Sequence, residues 1–246
     1  MTSVRIIHRS DRFVVVEKPS MMLSVPGRGE HKKLCVALRV QELIPEATGP
    51  LTVHRLDYET SGLMVFALDP QSHRELSRQF EERRVRKAYV ALLGGHVQED
   101  AGEISLPLRA DIDQWPRPVH IVDHEQGKEA VTRWTVLSRE EYSRAAAGAP
   151  PSDASHAAAG GEAVRFAVDA SWPHDPHPVT RVRFVPVTGR SHQLRVHSSS
   201  GLGAPIVGDP LYGGLPAARL MLHASELAFT PPGSTEPAEF QLQPPF

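Results

Sequence analysis

Short runs of apolar, β-prone residues, most of them bounded by Gly, Pro or Asp, follow one another along this chain. Helical patterns are fewer and lie near 34–42, near 70–84 and after Ser191. Because most strands follow one another without an intervening helix, the order predicts an α+β fold with a mainly antiparallel mixed sheet, flanked by helices and loops. The predicted strands are Val4–Ile7, Phe13–Val16, Leu63–Leu68, Ala88–Leu93, Val131–Leu137, Val179–Val187 and Leu220–Phe229.

Length and composition restrict the class of protein. The 246 residues are 40% apolar and 23% charged, which is typical of a soluble globular protein and excludes a wholly disordered or fibrous chain. The single cysteine, Cys35, excludes an intramolecular disulfide, and the N-terminus lacks the apolar run of a signal peptide. No apolar stretch approaches the roughly 18 residues of a membrane span. We therefore expect a cytoplasmic protein.

The basic residues are unevenly distributed, although the net charge is only −2. Between Arg5 and Arg39 there are eight basic and three acidic residues, and Arg181–His197 contains four Arg and no acid. Local excesses of this kind predict faces that bind phosphate groups. The alternative is a base composition of the gene that favours Arg codons, and charge alone does not decide between the two.

Two stretches without the apolar periodicity of a helix or strand indicate an insertion over 145–178. The rest of the chain is predicted to form a single domain spanning 1–246. Ala145–Gly161 is rich in Ala, but Gly, Pro and Ser interrupt any helix, so we expect a flexible surface segment. Ser171–Pro178 carries two histidines around Asp175, which could ligate a metal. Its three prolines favour a turn-rich loop instead.

The densest group of reactive side chains is the segment 54–62, with sequence HRLDYETSG. Asp57 lies beside a guanidinium and an imidazole, and small polar residues that can bond its carboxylate come just before a predicted strand. A carboxylate in such a loop is a candidate nucleophile or base. The alternative is an ordinary surface turn, because Asp, Thr, Ser and Gly are common turn residues.

A second group of reactive side chains is Thr188–His197, with sequence TGRSHQLRVH. A strand ending near Val187 meets a Gly turn and then a helix, which would place Arg190 at a helix start where an anion can be held. The alternative is a solvated helix face. His192 and His197 are five residues apart, a poor match to the i, i+4 spacing of a helical zinc pair.

Taken together, these segments resemble a known family. His54-Arg55-Leu56-Asp57 followed by Thr60-Ser61-Gly62 resembles the HRLDxxTSG signature of the RluA-like pseudouridine synthases; seven fixed residues arise by chance about once in 10⁹ positions. Met21-Met22 departs from the family pattern, and so does the length of the insertion. Further segments that resemble family motifs are Asp11–Pro26, KAYVA at 87–91, TGRSHQLRVH at 188–197, Ile206–Gly213 and RLMLHA at 219–224.

The resemblance implies roles for individual residues. Asp57 would be the catalytic carboxylate, Arg190 the cation that pairs with it, and Tyr89 the ring that stacks on the uracil and takes the C5 proton. Arg55 would enter the gap left by the flipped nucleotide, and Leu222 would pack on the other face of the base. From their own context Tyr89 and Leu222 would be ordinary half-buried or core residues, and Arg55 an ion-pair partner of Glu59. The resemblance also places His54, His192 and Arg195 on the RNA-binding side.

The implied reaction turns uridine into pseudouridine and needs no metal or other cofactor. Whether Asp57 attacks C1′, attacks C6 or removes a 2′ proton stays open. The segments Leu23–Arg28, Asp113–Pro118 and Gly127–Ala130 are most similar to the branch that modifies large-subunit ribosomal RNA and position 32 of some tRNAs. We expect RNA stem-loops as partners, a monomer, and no S4 RNA-binding domain. The rival hypotheses are a histidine-based metal hydrolase and a catalytically silent RNA-binding module.

Overall fold

A computed structural model describes residues 4–27, 34–114, 119–143 and 176–246. It divides into two compact units, Met1–Tyr89 with His223–Phe246, and Val90–Leu222. The chain passes from the first to the second within a strand and returns within another. The prediction of a single catalytic domain stays a prediction, and most of the expected 145–178 insertion, including Ala145–Gly161, lies outside the described residues.

The first unit is built on a sheet with the order β1-β2-β3-β10, with β11 paired to β10. β3 and β10 are parallel and the other pairs are antiparallel. Its elements are β1 (Arg5–Arg9), β2 (Phe13–Lys18), α1 (Val36–Leu43), β3 (Ser61–Ala67), α2 (Pro70–Glu81), the start of β4 (Arg86–Gly94), most of β10 (Leu222–Phe229) and β11 (Ala238–Gln241).

Strand β3 is buried along its whole length because helices cover both faces of the sheet. Met64 and Phe66 pack with α1 in one core cluster, whereas Leu63 and Val65 pack with α2 in another. Side chains alternate between the faces of a strand, so two buried faces require an unbroken apolar run, as the sequence shows. At the start of β3, Gly62 has a φ of +121°, and a Cβ there would lie 2.3 Å from the carbonyl oxygen of Ala224. Only glycine permits this approach of β3 to β10.

The second unit contains an antiparallel sheet of β5, β8 and β9 and a separate hairpin of β6 and β7. Its elements are the end of β4, β5 (Ala101–Ser105), β6 (Leu108–Asp111), a 3-10 helix (Ile112–Gln114), β7 (Val119–Val122), β8 (Val131–Tyr142), β9 (His177–Pro186), the one-turn helix α3 (Gln193–Val196) and a π-helical turn (His197–Gly201). Antiparallel pairs predominate in both units, which confirms the predicted α+β class.

The elements differ from the prediction in three respects. Strands β5, β6, β7 and β11 were not predicted, because they are only four or five residues long and their side chains are mostly exposed or half-buried. Strand β9 begins at His177, so the last two residues of the predicted insertion pair with β8. Helix α3 begins at Gln193 and not at Ser191, because His192 takes a left-handed conformation with φ 54°.

Candidate active site

Asp57 lies half-buried in the loop of residues 54–60, which leads into β3. The loop turns sharply here, since the Thr60 N–H donates to the Asp57 carbonyl over 3.2 Å. Ser24 fixes the residue before Asp57: its hydroxyl donates to the Leu56 carbonyl over 2.7 Å and accepts from the Leu56 N–H over 3.1 Å. Ser20 donates to the Glu59 carbonyl over 2.6 Å. The backbone on both sides of Asp57 is therefore held in place by side chains from the β2–α1 connection.

Lys18, at the end of β2, binds backbone carbonyls of the same loop. Its side chain is 0% exposed, and its ammonium donates to the carbonyls of Pro19 (2.9 Å), Tyr58 (3.0 Å) and Thr60 (2.7 Å). An ammonium can donate three hydrogen bonds, and these three carbonyls accept all of them. Burial of a lysine is costly unless its donors are satisfied in this way. Lys18 is therefore a structural centre of the loop that carries Asp57.

We expect Lys18→Met to destabilise the first unit by about 2–3 kcal/mol, because three buried carbonyls lose their donor while the aliphatic stem is retained. Turnover should fall along with stability, since the loop around Asp57 loosens. Urea unfolding and single-turnover rates measure the two effects. Lys128→Met, which removes an exposed ammonium, is the matched control. Equal stability of the two variants would contradict the structural role of Lys18.

His54 begins the loop and faces into its own unit. Its Nε2 accepts from the Val65 N–H over 3.1 Å, and its ring stacks on that of Phe80 with a centroid distance of 4.6 Å. Burial, with a contribution from the charge of Lys87, lowers the pKa of His54 to about 3. Because Nε2 is an acceptor, Nδ1 carries the proton of the neutral ring. These contacts favour a structural role over the RNA contact predicted for His54, whereas its neighbour Arg55 is exposed.

Protonation of His54 should weaken the fold on acidification. Its pKa lies below the unfolded value of about 6.5, so the unfolded chain binds the extra proton first as the pH falls. The contribution of the neutral ring is complete above pH 6.5 and is lost progressively from there toward pH 3, with a slope of up to about 1.4 kcal/mol per pH unit. His54→Gln, which can still accept from Val65, should lose that slope in urea unfolding measured between pH 4 and 7. If the free energies of unfolding of His54→Gln and of the wild type changed with pH in parallel, the pH dependence would not arise from His54.

Tyr89 on β4 is half-buried and packs against the core cluster beside α1. Burial raises the pKa of the Tyr89 phenol, and the negative charge of Asp57 raises it further. Both residues belong to the first unit. Two of the three predicted catalytic residues thus belong to the same unit, and their catalytic roles stay predictions.

Arg190 lies in the second unit, in a loop that Gln193 holds. The Gln193 side-chain oxygen accepts from the Arg190 N–H (2.9 Å) and from the Thr188 hydroxyl (2.8 Å). Its amide nitrogen donates to the Val131 carbonyl over 3.0 Å, which ties the loop to β8. The Arg190 guanidinium donates through Nε to the Glu129 carbonyl over 3.0 Å. The residues of TGRxHQ thus fix their own loop, and the predicted pairing of Arg190 with Asp57 stays a prediction.

Arg195 and His192 belong to a hydrogen-bonded network inside the second unit. Arg195 is 1% exposed and forms two 2.7 Å bonds to the carboxylate of Asp209. Its guanidinium also lies 5.3 Å from the ring centre of Tyr212. The Tyr212 hydroxyl is 2.8 Å from His192 Nδ1 and accepts from the His120 N–H over 2.8 Å. Burial and pairing with Asp209 give Arg195 a structural role, and its predicted RNA contact stays a prediction.

Leu222, the remaining predicted residue, opens β10 and is 3% exposed. In the next position, Nδ1 of the buried His223 lies 2.7 Å from the Ser61 hydroxyl, one residue after Thr60 in the loop. Sequence reasoning missed the residues that position the site. Each belongs to a motif quoted above for the family, and motif membership was the available signal: Lys18, Ser20, Ser24, Gln193, Asp209 and Tyr212.

The described part of the chain holds no group of three His, Cys, Asp or Glu side chains arranged to bind a metal ion. Within the same residues, no helix combines the length and the apolar character that crossing a bilayer requires. Of the alternative metal site, His174 and Asp175 lie outside the described ranges, whereas His177 is the first residue of β9. The absence of a cofactor therefore stays a prediction.

Comparison with known proteins gives a consistent result. The family described as RNA pseudouridylate synthase matches residues 4–200. Over 246 residues the chain is 39% identical to the dual-specificity RNA pseudouridine synthase RluA of Yersinia pestis, covering 98% of this chain and 99% of that protein. Over 232 residues it is 41% identical to the protein of the same name from Escherichia coli K12, covering 92% and 87% of the two chains.

Solved structures agree with the sequence comparison. The human protein RNA pseudouridylate synthase domain containing 1 has 31% sequence identity and a TM-score of 0.72, covering 99% of this chain and 84% of that one. Human RNA pseudouridylate synthase domain containing 4 has 23% identity and a TM-score of 0.66, covering 98% and 88%, and shows the fold alone. The likeness thus extends over nearly the whole chain.

Proposed function

The chain belongs to the RNA pseudouridylate synthase family, as an RluA-like isomerase, and from that premise we propose that it isomerises specific uridines of large-subunit ribosomal RNA and of tRNA, including position 32, with Asp57 as the catalytic carboxylate. The observation that carries the assignment is the arrangement around Asp57. Three side chains hold the loop on both sides of it, and Tyr89 lies within its electrostatic reach. A carboxylate on a loop fixed in this way suits chemistry on a flipped base.

The reaction exchanges one glycosidic bond for another. The N1–C1′ bond breaks, C1′ joins C5 of the same base, the C5 proton is released and N1 becomes protonated, with no net oxidation or reduction. A carboxylate next to a developing oxocarbenium ion is the device by which glycosidases cleave a comparable bond. We assign this role to Asp57, and we assign Arg190, on the resemblance, as the cation that keeps the carboxylate ionised.

The base has to leave the RNA stack before it reacts, at a cost of a few kcal/mol. Arg55 is exposed beside the catalytic loop, and its planar guanidinium can stack where the base has left. Tyr89 provides the aromatic face on which the detached uracil is held. Because the pKa of its phenol is raised, Tyr89 is neutral at physiological pH, which suits stacking and hydrogen-bond donation. Leu222 is proposed for the opposite face of the base.

The substrate proposal rests on the relatives whose printed names describe dual-specificity RNA pseudouridine synthases. Their similarity covers more than nine-tenths of this chain, so a shared RNA preference is the simplest proposal. We also propose a cytoplasmic monomer that needs no cofactor. The silent RNA-binding module is not favoured, because the residues that resemble the catalytic set are all present: Asp57, Tyr89 and Arg190.

The test is direct mapping of the product. Unmodified tRNA and large-subunit ribosomal RNA are incubated with the protein, treated with carbodiimide and read by primer extension, so that each pseudouridine produces a stop. We expect new stops in the anticodon loop of tRNA and in a ribosomal hairpin. Stops on ribosomal RNA alone would restrict the substrate, and an RNA population without any new stop would refute the proposed activity.

A further inference from the structure

The turn between α2 and β4 is strongly basic in an otherwise near-neutral chain. From Arg78 to Lys87 there are five basic and two acidic residues. Two of the five basic residues are paired with acids, Arg84 with Glu82 over 2.6 Å and Arg86 with Glu239. Among the described residues, Arg83 forms no ion pair within 4 Å, and the same is true of Arg55. Both guanidinium groups are exposed and available to an anion.

This turn lies beside the catalytic loop. The Arg83 N–H donates to the Phe80 carbonyl over 3.2 Å, and the Phe80 ring stacks on His54, the neighbour of Arg55. The Lys87 ammonium lies 5.7 Å from the centre of the same Phe80 ring. Phe80 therefore links the turn that carries Arg83 to His54, the residue before Arg55.

Lys87 also connects the turn to the active site along β4. Lys87 and Tyr89 are two residues apart on a strand, so their side chains leave from the same face, about 7 Å apart. Tyr89 is the residue that lies within the electrostatic reach of Asp57. Lys87 thus lies on the face of β4 that also carries Tyr89.

Arg83 occupies a backbone position that suits glycine. Its φ is +56°, and the bonds from Arg83 to Phe80 and from Arg84 to Gln79 form the left-handed turn with which α2 ends. Glycine adopts this conformation without steric cost, whereas other residues are strained there. An exposed arginine therefore occupies a position that glycine would fill with less backbone strain.

We propose that Arg83 and Lys87, next to Arg55, bind the phosphates of the RNA strand that flanks the target nucleotide. This α2–β4 basic surface, formed by Arg55, Arg83 and Lys87, rests on the proposed function, since it supplies the RNA contact of the same site. RNA phosphates fit the surface because exposed, unpaired guanidinium groups contact phosphate oxygens and release counterions. Stacking positions near the base and phosphate contacts beside it are complementary parts of RNA recognition.

The test uses two substitutions of Arg83 and a control substitution on α2, the helix that precedes it. Arg83→Gly removes the charge at a position that accepts glycine, so its melting temperature should equal or exceed that of the wild type. Arg83→Glu reverses the charge. Arg78→Glu is the control: Arg78 is exposed, and two residues at 100° each turn it about 160° away from Phe80. The affinities are measured by filter binding with an unmodified tRNA transcript and with a large-subunit ribosomal RNA transcript, at several salt concentrations.

We expect Arg83→Gly to weaken RNA binding by roughly 3- to 10-fold and to lower the salt slope by about one unit, and Arg83→Glu to weaken it further. Arg78→Glu should bind like the wild type. Unchanged affinity and salt slope in both Arg83 variants would overturn the proposed RNA-binding role of the α2–β4 basic surface. If the same preparations still formed pseudouridine, the proposed function would remain intact. Conversely, if Arg83→Gly bound RNA more weakly but the wild-type protein formed no pseudouridine, the RNA-binding role of the surface would be supported and the proposed activity refuted.

Discussion

Asp57→Asn should lower the rate of pseudouridine formation on the order of 10³-fold or more, with RNA affinity preserved within about 3-fold. The amide has the shape of the carboxylate, but it cannot act as a nucleophile or base, nor can it stabilise a developing cation. Binding should persist because the loop is fixed through its backbone by Lys18, Ser20 and Ser24 and not through the Asp57 side chain.

The chemistry offers a direct readout of this loss. The reaction releases the C5 proton of the target base, so RNA transcribed with C5-tritiated uridine releases tritium in proportion to turnover. Single-turnover measurements with enzyme in excess separate the chemical step from binding. Asp11→Asn, an exposed aspartate of the same unit, is the matched control and should react at the wild-type rate. Tritium release by Asp57→Asn at that rate would remove Asp57 from its assigned role.

Fold and stability must be unchanged for the result to concern catalysis. Asp57 is half-buried and its carbonyl, which the substitution keeps, forms the turn with Thr60. The melting temperature of Asp57→Asn should therefore stay near that of the wild type. A variant that binds tRNA and melts normally, yet forms no pseudouridine, separates an enzyme from the silent RNA-binding module.

The pattern of apolar residues explains which strands could be predicted from the sequence. Runs such as LMVFA in β3 are recognisable because both faces of that strand are buried. β5 and β11 have side chains that are mostly exposed or half-buried, and each is defined by its pairing with another strand: β5 pairs with β8, and β11 with β10. Such strands carry no local apolar signal. They become visible only when the partner strand is placed.

In the candidate site, too, features set by neighbouring residues could be predicted, and features set by residues distant in sequence could not. The loop with Asp57 was recognisable as a motif, and the structure places Tyr89 near it. What the sequence could not provide is the surroundings of the basic residues. Arg55 and Arg195 look alike in their motifs, yet one is exposed and the other is buried against Asp209, 14 residues away. Burial of a charge depends on the partner that the fold supplies, which is invisible in a local pattern.

The buried ion pair of Arg195 and Asp209 gives the second large expected effect, a loss of stability. Arg195→Met should destabilise the second unit by about 3–5 kcal/mol, because it leaves the carboxylate of Asp209 buried without its cation. Both side chains are 0% exposed, so water cannot replace the guanidinium. Arg133→Met is the matched control: Arg133 pairs with Glu103 over 3.0 Å at the surface, and loss of such a pair costs at most about 1 kcal/mol. The midpoint of urea unfolding of the second unit measures both.

The double variant Arg195→Met with Asp209→Asn decides between a structural and an RNA-binding Arg195. An asparagine is neutral and can still accept from the Leu211 N–H, which Asp209 bonds over 3.0 Å. Removing both charges should therefore restore at least half of the lost stability. If Arg195 acts only inside the fold, RNA affinity should recover together with stability. A double variant that is stable but still binds RNA weakly would return Arg195 to the RNA interface, because no unpaired buried charge would remain to explain the defect.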